Sequence, residues 1–105
     1  LMLTLKGIQK TMDKLKRKSE NGEAVEGEIV FDTRRGGDNR YSYYYQGQLV
    51  FTFGITRSTR KKSRNFGYVP RQMHLQQQEY RRLHDCPMSK KEYNEKLIEE
   101  GKIRH

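Results

Sequence analysis

From Thr4 to Lys18 the apolar residues Leu5, Ile8, Met12 and Leu15 recur at spacings of three, four and three, with Lys6, Lys10 and Lys14 off that stripe. The period places the four on one helical face. It predicts a helix over residues 4–19, with Asn21-Gly22 as its stop. Such a stripe suits docking on a sheet. As a homodimer seam it spans only two heptads, short for a coiled coil.

The period then changes to two. Val25, Gly27, Ile29 and Phe31 take one face and Glu26, Glu28 and Asp32 the other, which predicts a half-buried strand over 25–33. Arg34-Arg35-Gly36-Gly37-Asp38-Asn39 reads as a hairpin loop whose glycines allow positive φ. A second strand is expected over 40–45. After Gln46-Gly47 a third covers 48–57, with Leu49, Phe51, Phe53 and Ile55 sharing a face. Three consecutive strands make an antiparallel meander.

The tyrosine cluster Tyr41, Tyr43, Tyr44 and Tyr45 depends on register. A two-residue Gln46-Gly47 turn pairs Tyr45 with Gln48 and Tyr44 with Leu49, setting Tyr41, Tyr43 and Tyr45 opposite the phenylalanines. A three-residue Tyr45-Gln46-Gly47 loop pairs Tyr43 with Leu49 and Tyr41 with Phe51, bringing most of the stripe into the core. One residue of slip exchanges the faces. Exposed, the tyrosines form a platform on which bases stack; buried, they pack the core.

Ser58 to Asn65 has neither an apolar residue nor an acid. Pro70 is a good first helical residue, and 71–85 reads as a helix with a candidate break near Gln76. Ser89 with Glu92 forms a capping box, Met88 can staple onto Tyr93, and Gly101 ends a last helix. Residues 102–105 are expected to fray. The expected fold is a single α+β domain over 1–105, with an N-terminal helix, a three-stranded antiparallel meander and two C-terminal helices.

Composition adds a lean core and a localised charge. Leu, Ile, Val and Phe number only 21 of 105 residues, so the seven tyrosines and four methionines must join the packing. The net charge is +9. Residues 1–33 balance six bases with six acids, and 72–105 nearly balance. Between them Arg34, Arg35, Arg40, Arg57, Arg60, Lys61, Lys62, Arg64 and Arg71 face a single acid, Asp38. That excess points to a polyanion, nucleic acid first. Nothing approaches a membrane span, no signal-peptide core is evident, and one cysteine fits a reducing, cytoplasmic setting.

Candidate chemistry is sparse. His84-Asp85-Cys86 is the one local group resembling a reactive centre, and it reads better as a helix-end turn with Cys86 as a buried filler. One cysteine and three scattered histidines lack any zinc spacing, so no metal is expected. No phosphate-binding loop or dinucleotide fingerprint occurs, so no cofactor is expected either.

The order helix–strand–strand–strand–helix, with a basic segment after the third strand, resembles the double-stranded-RNA-binding domain over roughly residues 4–85. The resemblance implies that Lys61, Lys62 and Arg64 meet phosphates across the major groove, and that Arg34 to Arg40 enter a minor groove. The HicA family of messenger-RNA-cleaving toxins has a similar order of elements. Its catalytic histidine lies on or beside the sheet, whereas residues 22–73 here hold no histidine.

The leading expectation is nucleic-acid binding without catalysis, RNA ahead of DNA. The nine bases would contact phosphates, and Tyr41, Tyr43 and Tyr45 would stack on bases if the register exposes them. One alternative is a metal-independent ribonuclease using His74 or His84. Another is an assembly subunit whose basic face meets an acidic protein, marked by an open Leu5, Ile8, Met12 and Leu15 stripe.

Overall fold

The computed structural model describes residues 4–33, 38–56, 66–85 and 88–104, with the backbone alone at Asp38 and Thr56. The chain runs α1 (Leu5–Leu15), β1 (Ser19–Glu20), β2 (Glu23–Ala24), β3 (Glu28–Thr33), β4 (Asp38–Tyr45), β5 (Gln48–Thr56), α2 (Tyr68–Gln72), α3 (Gln77–His84) and α4 (Lys90–Glu99). This is the expected α+β class. The sheet is three-stranded and antiparallel in the order β3-β4-β5, and helices precede and follow it.

Helix α1 opens on Thr4, whose Oγ1 accepts from the Gly7 N–H at 3.0 Å, an N-cap that satisfies a donor left free by the first turn. Ile8, Met12 and Leu15 are fully buried in the chain's own core, while Leu5 is 40% exposed. The dimer-seam reading of this stripe is thereby corrected: three of its four residues are already covered. The helix also stops at Leu15, short of the expected 19. Lys16, Arg17 and Lys18 are exposed, so continuing the helix through them would bury nothing further. Asn21 and Gly22, at φ 52° and 80°, instead close a small hairpin between β1 and β2. Positive φ at both central residues is the tight-hairpin geometry that Asn-Gly favours.

Strand β3 begins at Glu28 rather than Val25, because Gly27 (φ 119°) breaks the extended backbone. In register, Ile29 pairs with Tyr43, and Phe31 with Tyr41 and then Phe53. The turn after β4 is the two-residue one: Gln46 and Gly47 sit at φ 49° and 81°, and Tyr45 pairs with Gln48 and Tyr44 with Leu49. One step further the register shifts, and Tyr43 pairs with Phe51. Val50 is the extra residue of a β-bulge, which reverses the alternation beyond it. The tyrosine stripe therefore joins the phenylalanines. Tyr43 stacks on Phe51 at 5.4 Å and Tyr41 tilts against Phe53 at 5.6 Å, pairs that each add about 0.5–1.5 kcal/mol beyond burial. Val50 is buried, and Leu49, expected on the core face, is 54% exposed.

After Phe66 the expected single helix is two. His74 takes φ 62° and Gln76 caps α3 with Glu79, so the break falls where it was expected but separates α2 from α3. Pro70 is the third residue of α2, not its first. The Ser89–Glu92 capping box forms, with the Glu92 N–H donating to Ser89 Oγ at 3.1 Å and the Ser89 N–H to Glu92 Oε1 at 3.3 Å. Glu20 adds its carboxylate to the same helix start, accepting from the Lys90 and Lys91 N–H groups at 3.0 and 3.1 Å, a favourable place for negative charge. The tail is tied rather than frayed: Ile103 is buried, and the Gln48 side chain exchanges two hydrogen bonds with the Arg104 backbone.

Among the described residues two lysines lie inside. Lys14 Nζ donates to the carbonyls of Leu83 and Met88, joining α1 to the α3–α4 connection. Lys90 Nζ donates to the carbonyls of Arg17 (2.5 Å) and Gly27 (2.6 Å), holding both flanks of the β1–β2 hairpin. Burial pushes the Lys90 ammonium below the usual lysine range, partly offset by Glu20 and Glu26.

Candidate nucleic-acid interface

The strand register defines one end of the sheet. Thr33 pairs with Asn39, Asn39 with Ile55, and Asp38 with Thr56. Segments 34–37 and 57–65 therefore both leave the sheet from that end. The chain also returns to it: Phe66 is buried, and Tyr68 Oη donates to the Gly54 carbonyl at 2.7 Å. Arg34, Arg35, Arg57, Arg60, Lys61, Lys62 and Arg64 lie outside the described residues, as does the Gly36-Gly37 turn. Their points of attachment share one place.

Arg40 sits two residues into β4, paired with Asp32 on one side and Gly54 on the other. Arg71 is exposed on α2, which follows the β5 edge from Gly54, held by Tyr68, towards Val50, held by His74. The two described members of the phosphate-contact set thus lie on β4 (Arg40) and on an adjoining helix (Arg71).

The stacking candidates do not join them. Tyr41, Tyr43 and Tyr45 are at most 6% exposed, because the bulge at Val50 turns their face inward. Tyr43 Oη donates to Asn94 Oδ1 at 2.5 Å, and Asn94 Nδ2 donates to the Glu26 carbonyl at 2.7 Å. These rings are core, and the base-stacking reading of them is corrected. Tyr68 is the aromatic that the sequence reading passed over: it is 37% exposed at the basic end. Its signal was its position, three residues after the basic run of 58–65.

The two histidines weighed as catalytic differ. A His74 ring nitrogen, Nε2, bonds the Val50 carbonyl at 2.9 Å, so this residue caps the bulge at the sheet edge rather than facing an open site. His84 Nδ1 lies 3.0 Å from Asp85 Oδ1, and Arg81 Nε lies 3.5 Å from Asp85 Oδ2. The hydrogen bond from His84, then the nearby charges of His84 and Arg81, hold the Asp85 carboxyl below its usual range. Adjacent residues meet here because Asp85 is the helix C-cap and leaves the helical path. The ring stacks on Tyr80 at 6.4 Å, and Nε2 lies beside Gly7 in the first turn of α1. A carboxylate on Nδ1 fixes the tautomer and leaves Nε2 as the nitrogen able to exchange a proton. Cys86 lies outside the described residues.

Among the described residues no three His, Cys, Asp or Glu side chains converge as a metal site, and no helix is long and apolar enough to cross a membrane. Comparison with protein-family models, with curated proteins and with solved structures finds no match for this chain.

Proposed function

We propose that this protein binds nucleic acid, RNA in preference to DNA, through the end of the sheet from which residues 34–37 and 57–65 depart. The supporting observation is the pairing of Asp38 with Thr56 together with the Tyr68–Gly54 hydrogen bond. These bring together the flanks of 34–37 and 57–65, the segments that carry Arg34, Arg35, Arg57, Arg60, Lys61, Lys62 and Arg64, while 1–33 and 72–105 carry almost no net charge. Bases attached at one place act together on a phosphate backbone. Such contacts position a nucleic acid without reading its sequence, so shape decides the preference. RNA is favoured by the likeness of the element order to the double-stranded-RNA-binding domain.

Tyr68 supplies the aromatic surface in this reading. Its replacement by Ala is expected to weaken single-stranded RNA binding by about 1–3 kcal/mol relative to Tyr68→Phe, which removes the Gly54 hydrogen bond but keeps the ring, and to match Tyr68→Phe on a blunt duplex. Fluorescence anisotropy with single-stranded RNA, double-stranded RNA and double-stranded DNA probes measures both. Equal binding of all three probes by the two variants would remove the Tyr68 ring from the interface.

The His84–Asp85 contact of 3.0 Å favours a second reading, metal-independent RNA cleavage with His84 as the proton-exchanging group. Cleavage that survives EDTA and vanishes in His84→Ala is its expected signature. Cleavage absent from wild type leaves binding alone.

A further inference from the structure

The two edges of the sheet are finished differently. Along the outer side of β5, the Gly54 and Val50 carbonyls are occupied by Tyr68 and His74. No described strand pairs with the outer side of β3. On β3, Phe31 is 45% exposed and Ile29 and Val30 are half-buried. Beside it runs a groove of about 900 Å³ of mixed charge, lined among others by Lys16, Lys18, Glu26, Glu28, Ile29 and Val30. A free edge with apolar side chains on it is a template for one more strand.

The charge on the strand itself selects the occupant. From Ser19 to Thr33 the chain has five acids (Glu20, Glu23, Glu26, Glu28 and Asp32) and no base, within a protein of net charge +9. Glu28 and Asp32 are exposed on one face of β3, while Ile29 and Phe31 lie on the other. A strand added alongside would set alternate residues against these two faces. We propose that the β3 edge receives an extended segment of a partner protein in which Lys or Arg alternates with apolar residues.

The basic residues meet Glu28 and Asp32 on the outer face, and the apolar ones cover Ile29 and Phe31. A second copy is a poorer fit, because antiparallel self-pairing about Val30 opposes Glu28 with Asp32, and like charges directly across a ladder destabilise it. Nucleic acid is repelled by the same carboxylates. Glu28 lies about 17 Å along the strand from Thr33, roughly two screening lengths from where the basic segments begin. The Glu28 end is therefore separate from the basic segments, whereas Asp32, paired with Arg40, adjoins them.

The test uses the full chain and a synthetic eight-residue peptide of alternating Lys and Val, with alternating Glu and Val as its counterpart. Amide hydrogen exchange by NMR is expected to slow across Glu28–Thr33 with the Lys-Val peptide and not with the Glu-Val one. Glu28→Lys with Asp32→Lys, both exposed positions, should weaken the Lys-Val peptide at least about tenfold and admit the Glu-Val peptide, with an unchanged circular-dichroism spectrum verifying the fold. No protection with the Lys-Val peptide would overturn the proposal, as would unchanged affinity in the charge-reversed variant. Protection of the same amides that grows with the protein's own concentration, without peptide, would give the edge to a second copy and overturn it equally.

Discussion

Gly27→Ala is expected to destabilise the fold by about 3–5 kcal/mol, close to the whole stability of many small domains. Two independent effects add. The residue sits at φ 119°, a conformation that side chains rarely adopt, and a Cβ there would lie 2.0 Å from Tyr43 Oη and 2.6 Å from Cζ. Backbone strain of this kind costs about 1–3 kcal/mol, and forcing atoms into a packed core about 1–3 kcal/mol more. The ring has no easy retreat: it stacks on Phe51, meets Tyr93 at 5.9 Å and hydrogen-bonds Asn94. The Gly27 carbonyl also accepts from Lys90, so a shift of this segment disturbs a buried ammonium.

Gly22→Ala is the control. It has positive φ (80°) but nothing within 4 Å of the added carbon, so only the backbone term of about 1–2 kcal/mol applies. Thermal melts followed by circular dichroism separate the two. A Gly27→Ala loss no greater than that of Gly22→Ala would mean that Tyr43 does not hold the segment.

Above pH 10 the protein is expected to unfold over a narrow interval. Burial raises the Tyr41, Tyr43, Tyr80 and Tyr93 hydroxyls above the ordinary value of 10.0. Hydrogen bonds to Asn94 and Thr11 pull Tyr43 and Tyr80 partly back. A group whose folded pKa is raised stabilises fully below its unfolded pKa, and that contribution is lost as pH rises through the folded value. The unfolded chain releases these protons first, so stability falls by up to about 5 kcal/mol per pH unit for four groups together. Lys90 acts oppositely. Its folded pKa is lowered from 10.5, so its single contribution grows with pH up to that value and then stops. The four tyrosines therefore prevail on the alkaline side. The tyrosinate absorbance of these four buried rings and the far-ultraviolet circular dichroism should change together, in one cooperative step. Ionisation of all seven tyrosines near pH 10 with the fold intact would contradict the burial of the stripe.

Much of this architecture was legible because local chemistry and tertiary packing agree. The Ile8, Met12 and Leu15 spacing, the Ser89–Glu92 box and the period-two strands each bury or cap what they promise. The failures occur where one local signal serves two structures. Asn-Gly both ends helices and turns hairpins, and only the neighbouring extended residues choose between them. Gln46-Gly47 fixes the turn but not the faces, since the bulge at Val50 lies beyond it. That bulge is secured from outside the hairpin, by His74 on the Val50 carbonyl, 24 residues away. Its trace in the sequence is the adjacent apolar pair Leu49-Val50, one more than strict alternation needs. The end of the chain was misjudged for its polarity, although Ile103 was there to be buried. The charge of the candidate interface was readable throughout, because composition alone carries it. Its geometry, in contrast, comes from strand register.

The most direct test is the salt dependence of RNA binding, in wild type and in the variant with Arg60, Lys61, Lys62 and Arg64 replaced by Ala. The slope of log affinity against log salt counts neutralised phosphates, at roughly 0.9 each for a duplex and 0.7 for a single strand. A steep wild-type slope that flattens by about three units in the variant is the predicted result. Undetectable binding at low salt, or an unchanged slope in the variant, would contradict it.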